Sequence, residues 1–416
     1  MSSKINIIHK VAFEICRNAI WHNEKCTILV QKLESYNKGI KEFKIQSADN
    51  SFYSGLSGIT FFLLSYLKVQ PNEILKKTAI GFLKQIIYNF KNQKSDSFDF
   101  WVGGLGIAYT LHYAGDILEN QRWKNESQKI LNKTIQITKS DWKIDVIDGV
   151  AGAIPILIYF HELYPLLKLD ELAIAAGQFL KQSASKETNG ISWKSYKEQA
   201  HPNLGGFAHG VSGIANALLD IYKLTNNIDF LNIAKEAIKY ENTLYSSKEN
   251  NWGDLRNYSR DNEQISYPCF WCHGASGIGI SRDKVYSITK ENIYKNDIQN
   301  IIQNIISNNN VTSLKNYSLC HGQFGNLMIL RSLKKHATEL NKVIDKEISQ
   351  SIDAFHDSYK QGYDIPSDNL EKDNGYDFML GKAGVSYFLL TELYPNVFPT
   401  IIDSNYNYCF RSNQTN

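Results

Sequence analysis

Apolar residues along this chain fall into two alternating rhythms. In the first, most positions over two helical turns are apolar: "ITFFLLSYL" (59–67), "IAYTLHYA" (107–114), "AIPILIYF" (153–160), "IANALLDIY" (214–222), "IGISRDKVY" (278–286), "NLMILRSL" (326–333) and "VSYFLLTEL" (385–393). Such runs predict helices buried on nearly all sides. In the second, Ile, Leu and Phe recur at helical spacing opposite Lys, Gln and Asn. Examples are "TAIGFLKQIIYNFKN" (78–92), "ELAIAAGQFLKQSASK" (171–186), "DFLNIAKEAIKYENTLY" (229–245) and "ENIYKNDIQNIIQNII" (291–306). These predict amphipathic helices that bury one face.

Each buried run follows a Gly-x-x-Gly unit: "GLSG" (55–58), "GGLG" (103–106), "GVAG" (149–152), "GVSG" (210–213), "GASG" (274–277), "GQFG" (322–325) and "GKAG" (381–384). Random placement of the 26 glycines over 416 positions would give about 1.6 such pairs, so seven mark an internal repeat. The unit reads as amphipathic helix, loop, glycine turn, buried helix. Glycine there permits a close backbone approach or a positive φ. Seven units with buried helices inside and amphipathic ones outside predict an all-α fold, a closed double ring. Closure removes the terminal repeats that an open solenoid must cap. The inner helices' N-termini and the turns then gather at one end. No linker or low-complexity tract divides the chain, so residues 1–416 read as a single domain.

Composition narrows the function classes. Hydrophobic residues at 43% and charged residues at 21% describe an ordinary globular protein. A formal charge of +3, from 45 basic and 42 acidic side chains, gives no warrant for a nucleic-acid surface. The start "MSSKINIIHKVAFEICRNAI" lacks a secretory pattern. The longest uncharged apolar runs fall short of the roughly 20 residues of a spanning helix. A cytoplasmic protein that does not span the membrane is expected. In that reducing setting its six cysteines are thiols or metal ligands. Cys16, Cys26 and Cys409 have no partner motif and read as structural.

Chemistry concentrates just before the glycines. "FAHG" presents His209, "WCHG" Cys272 and His273, "LCHG" Cys320 and His321, and "DVIDG" Asp145 and Asp148. A lone buried cysteine is usually an inert small hydrophobe. Two at equivalent repeat positions, each beside a histidine, point to a metal instead. Thiolates and imidazoles suit zinc, and three protein ligands leave the fourth position open, as catalytic sites do. Cys272, Cys320 and either His321 or His273 satisfy that count. Cys269 and Cys272 also form a C-x-x-C, but the βαβ context of redox motifs is missing. Two long polar loops, 186–210 and 246–274, run into these turns, and loops of that length are commonly functional.

"WCHGASGIGISR", "LCHGQFGN", "GFAHGVSGI", "DVIDGVAG" and the seven glycine turns together resemble the lanthionine synthetase C-like family, the lantibiotic cyclases. The likeness runs from "YSGLSGITFFL" to "FMLGKAGVSYFLL". It implies an α/α toroid of seven inner and seven outer helices with one zinc ion at its mouth. Family members close thioether rings by adding a peptide cysteine thiol across dehydroalanine or dehydrobutyrine. The implied zinc ligands are Cys272, Cys320 and His321, and the implied acid/base residues are His209 and Asp145. The implied partners are a dehydrated precursor peptide with its leader, a lanthipeptide dehydratase and an export transporter, in a complex peripheral to the membrane. The chain departs from nisin-type cyclases in two ways. Pro268 stands where they place an arginine, and Arg256, Arg260 and Arg282 are all out of register. His273 follows the first metal cysteine where they carry tyrosine, so it is expected to take part of that residue's role. The alternative within the family is a non-cyclising member that binds a thiol such as glutathione or serves as a scaffold. A barrel glycosidase ranks last, because it needs two facing carboxylates rather than a Cys-His-Gly pair.

Overall fold

The computed structural model describes residues 3–37, 40–92, 97–137, 139–194, 202–256, 265–309, 316–360 and 375–408. Seven inner helices follow the seven turns: α2 (Leu56–Val69), α4 (Gly104–Ile117), α6 (Val150–Leu163), α8 (Val211–Thr225), α10 (Ala275–Thr289), α12 (Gln323–Leu333) and α14 (Lys382–Leu393). Seven outer helices surround them: α1 (Ser3–Asn18), α3 (Glu73–Asn92), α5 (Gln121–Thr134), α7 (Leu169–Gln182), α9 (Ile228–Asn242), α11 (Asn292–Asn309) and α13 (Asn341–Lys360). Each inner helix touches the next and α14 touches α2, so the ring closes. This is the α/α toroid that the two rhythms predict.

The burial follows the sequence pattern. Every residue of α2 from Leu56 to Leu67 is buried, whereas α3 buries Leu75, Ala79, Phe82, Leu83, Ile86 and Phe90 at helical spacing. The packed hairpins are phased differently from the sequence unit. The inner helices α2, α4, α6, α8 and α10 each lie mainly against the outer helix that follows, α12 rests between α11 and α13, and the last, α14, packs on α1. Both ends of the chain therefore meet in one hairpin. Glu14 of α1 ties it by accepting from Tyr376 Oη at 2.9 Å and from the buried Lys382 Nζ at 3.0 Å. The sequence reading missed α1, which has no glycine turn of its own, and four two-stranded hairpins. The longest of these pairs β3 (Leu29–Asn37) with β4 (Ile40–Ser47). The hairpins lie outside the ring's own repeat.

The second glycine of every turn has one cause. A Cβ there would lie between 1.7 and 2.1 Å from the carbonyl oxygen of Phe52, Phe100, Val146, Phe207, Trp271, Leu319 or Phe378 respectively. Any side chain would push that carbonyl off the helix. A positive φ is needed only at Gly274, where it is 86°; the other six first glycines are extended.

Neighbouring turns are zipped by main-chain hydrogen bonds. The amides of Phe52 and Tyr53 both donate to Trp101 O, those of Phe207 and Ala208 to Cys272 O, and those of Leu319 and Cys320 to Met379 O. Single bonds join Val146 to Ala208 O and Met379 to Tyr53 O. Among the described residues no such bond crosses from the Trp101 turn to the Ile147 turn, nor from the Cys272 turn to the Cys320 turn. Below the turns, residues 399–408 fill the middle of the ring. Trp271 Nε1 donates to Ile402 O at 2.7 Å, Tyr387 to Pro399 O and Tyr109 to Tyr406 O.

Candidate metal centre

Cys272 and Cys320 are the second residues before their glycines, so the repeat sets them at matching places on two adjacent turns. They face each other across a seam that no backbone hydrogen bond closes among the described residues. The ligand atoms of Cys272, Cys320 and His321 all lie within 4.8 Å of one another, and Cys320 Sγ is 3.6 Å from His321 Nε2. Both cysteines are buried and neither is in a disulfide. Phe270 meets the His321 ring edge-on at 5.7 Å. Burial raises the Cys272 thiol, but hydrogen bonds from Cys320 and His321, with the nearby His321 and His273 imidazoles, hold it well below its ordinary value.

This donor set fits zinc. Two thiolates bound at about 2.3 Å and an imidazole at about 2.0 Å are what the ion takes up, and they leave one tetrahedral position open. Of the two histidines that the sequence left open, His321 joins the cysteines. Cys269 is not in the group, and burial pushes its thiol up to about 12.

The next turns along the ring bring up the other predicted residues. His209 Nδ1 lies 2.6 Å from Asp145 Oδ2, while Asp145 Oδ1 accepts the Ile147 amide at 2.5 Å. Asp145 thus caps its own turn with one oxygen and orients His209 with the other. Burial lowers the proton affinity of His209, yet Asp145's hydrogen bond and charge, with Cys272, raise its pKa overall. The His209 and His273 rings are 5.8 Å apart. His273 is fully buried, and neither of its ring nitrogens has a hydrogen-bond partner among the described residues. Burial pulls it down to about 4.

The His209 turn is itself held from outside. Glu241 on α9 accepts from the Gly206 amide at 2.8 Å and from Ser212 Oγ at 2.6 Å, and it pairs with the buried Arg282 at 2.8 Å. Arg282 also binds Asp297 at 2.8 Å. It is therefore a brace between α9, α10 and α11, not a group facing the cysteines.

Two features escaped the sequence reading. Asn251 Oδ1 accepts the Ala275 amide at 2.9 Å, capping the helix that follows the Cys272 turn. Asp254, whose amide bonds Ser266 O, stands 3.9 Å from His273 Nδ1 and is gripped by Arg256. The motif "NWGDLR" (251–256) carries both, but nothing local ties it to residue 273. Arg260 and Cys409 lie outside the described residues.

A closed α/α toroid whose rim gathers two thiols, an imidazole and a carboxylate-held histidine defines a class: a helical-barrel protein with an open Cys₂His site. The chain belongs to the lanthionine synthetase C-like family, whose model matches residues 46–402. It is 29% identical over 361 residues to the Lacticin 481/lactococcin biosynthesis protein LcnDR2 of Lactococcus lactis subsp. lactis, covering 83% of this chain. The chain spans 35% of that relative's length. A solved structure of nisin cyclase shares the fold with a TM-score of 0.64 at 20% identity, covering 86% of this chain and 91% of that one. No described helix is long and apolar enough to cross a membrane.

Proposed function

We propose that this chain is a zinc-dependent lanthipeptide cyclase. It forms lanthionine or methyllanthionine by adding peptide cysteine thiols to dehydroalanine or dehydrobutyrine. The observation that carries this reading is the meeting of Cys272, Cys320 and His321 within 4.8 Å, one turn away from the His209–Asp145 pair. Cys272, Cys320 and His321 would hold the zinc ion, whose charge, when bound, makes a coordinated thiol a thiolate near neutral pH.

The chain's own residues do the rest. As sulfur bonds to the β-carbon, the double-bond electron pair moves toward the carbonyl, leaving an enolate. His209 gives its proton to the α-carbon and is recharged by a proton equivalent to the one the thiol gave up, so the addition loses no atom overall. Asp145 fixes the tautomer, with Nδ1–H toward its carboxylate, and favours the protonated ring from which Nε2–H is delivered. His273 stands beside His209 with neither ring nitrogen hydrogen-bonded among the described residues, and in this reading it takes part of the role that tyrosine has in nisin-type cyclases. In this reading the chain acts as one domain in the cytoplasm. A dehydrated precursor peptide with its leader is the substrate, and a dehydratase and an export transporter are partners. Pro268, at the place of the nisin-type arginine, favours the second reading, a non-cyclising thiol-binding relative.

The test is thiol capping. With zinc and a dehydrated, cysteine-containing precursor, the protein should remove maleimide-reactive thiols from the peptide while its mass stays constant. His209→Asn should slow this by about 10² to 10⁴-fold and keep its zinc. Persistent thiol reactivity with the unaltered protein supports the non-cyclising reading, and loss of zinc from H209N makes His209 a ligand.

A further inference from the structure

The proposed addition leaves negative charge on a carbonyl oxygen beside the buried Cys272 and His273. An oppositely charged group fixed at that place commonly contributes more than any other single effect to the rate of such a reaction. Neither imidazole supplies it: His209 gives up its proton, and His273 is buried away from any acid within hydrogen-bond reach.

The long loop before Cys272 brings a cation back to the site. Asn251 Nδ2 donates to the carbonyls of Tyr267 and Pro268 at 2.9 and 3.0 Å, and Asp254 pairs antiparallel with Ser266. Residues 251–256 therefore run beside 265–268, toward the histidines. Arg256 lies on Asp254 with Nε at 3.1 and 3.0 Å from its two oxygens and Nη2 at 2.7 Å. Asp254 in turn is 3.9 Å from His273 Nδ1. Only the Asp254 carboxylate separates the guanidinium from His273, whose ring is 5.8 Å from that of His209. Its side chain is 40% exposed, whereas Arg282 is wholly buried and bound to two carboxylates.

We propose that Arg256 is a further catalytic residue, its guanidinium facing the enolate oxygen, with Asp254 as the positioning residue that aims it. The proposal rests on the cyclase reading. Arg256 neither gains nor loses a proton; it offsets the charge on oxygen until the α-carbon is protonated and the carbonyl re-forms.

The probe is 3-mercaptopropionate, whose sulfur, two carbons and carboxylate reproduce the skeleton from the new thioether sulfur to the enolate oxygen. 1-Propanethiol carries a methyl group in place of the carboxylate. Zinc-loaded full-length protein should bind the acid about 10 to 100-fold more tightly than the neutral thiol. Arg256→Gln should abolish that preference while still binding propanethiol, and Arg256→Lys should restore part of it, as a point charge without the fork. Asp254→Asn should weaken the preference at unchanged zinc content. The double variant D254N/R256Q leaves no unpaired buried carboxylate and so separates a folding defect from a lost charge. On a synthetic peptide with one dehydroalanine and one cysteine, R256Q should lower kcat by about 10²-fold with KM little changed. Equal preference in the unaltered protein and R256Q overturns the role of Arg256 and leaves the cyclase reading standing. If neither thiol binds the zinc-loaded protein, the cyclase reading itself fails.

Discussion

The turns at Gly149, Gly210, Gly274 and Gly322 share one backbone with those at Gly381, Gly55 and Gly103, yet only the first four carry an aspartate or a histidine directly before the first glycine. In both arcs the second glycine lies under a carbonyl that would clash with any Cβ. In both arcs adjacent turns exchange main-chain hydrogen bonds, except across the seam between the Cys272 and Cys320 turns among the described residues. The residues just before the first glycine differ. The first arc presents Asp148, His209, His273 and His321 there, and the second Leu380, Ser54 and Val102. One position earlier, Cys272 and Cys320 contrast with Met379, Tyr53 and Trp101. The scaffold thus requires its glycines and leaves the two preceding side chains unspecified. Where those are aromatic or aliphatic, the turn only adds to the core. Where they are Cys and His, the same geometry brings ligands together.

The sharpest break in that comparison comes from one cysteine and its silent counterpart. Cys320→Ala should drop the protein from about one bound zinc to almost none after dialysis, because two remaining ligands make a poor site. Met379→Ala, at the same place one turn further on, removes a fully buried side chain. It should cost about 2–5 kcal/mol of stability and keep the full zinc equivalent by elemental analysis. Zinc retained in C320A would remove the distinction between the arcs.

The glycines test the opposite claim, that the arcs are alike in structure. Gly277→Ala would set a Cβ 1.9 Å from Trp271 O, and Gly58→Ala one 2.1 Å from Phe52 O. Each should lower stability by about 1–3 kcal/mol in urea unfolding. G277A should also weaken zinc binding, because Trp271 directly precedes Cys272, whereas G58A should not. A large stability gap between the two variants would mean that the repeat is not built from equivalent turns.

The same contrast explains what the sequence made legible. The glycine spacing, the buried runs and the paired Cys-His-Gly motifs are local signals, and they reappear as the turns, the inner helices and the Cys272–Cys320–His321 group. The phase of the hairpins was not local: α1 packs on α14 through contacts such as Glu14–Lys382, which no window of sequence contains. Nor could the pattern choose between two histidines that each follow a cysteine. His321 joins the thiols, while His273 is turned toward His209 and Asp254, and only the crossing of turns decides it. Arg256 was visible but unplaced, because its route to the site depends on the Asp254–Ser266 pairing across residues outside the described set.

The smallest effect, and the most specific, concerns the aspartate four residues before the glycine. Asp145 in the first arc and Asp377 in the second occupy that same place. Asp145 has both oxygens engaged, by the Ile147 amide and by His209. Asp377 is buried, and its Oδ1 has no hydrogen-bond partner among the described residues. Burial pushes its carboxyl up to about 8 from 3.8, with Lys32 opposing and Asp49 adding to the rise. A group that holds its proton more tightly when folded stabilises the protein fully only below its unfolded pKa, and that contribution is lost as pH rises through the folded value. Asp377 should therefore subtract stability progressively between pH 3.8 and about 8. Asp377→Asn has nothing to ionise. It should match the unaltered protein near pH 4 and melt at a higher temperature by pH 8, with the gap opening steadily between. Melting curves collected from pH 5 to 8 decide it, and a gap that stays constant over that range would count against a proton-holding Asp377.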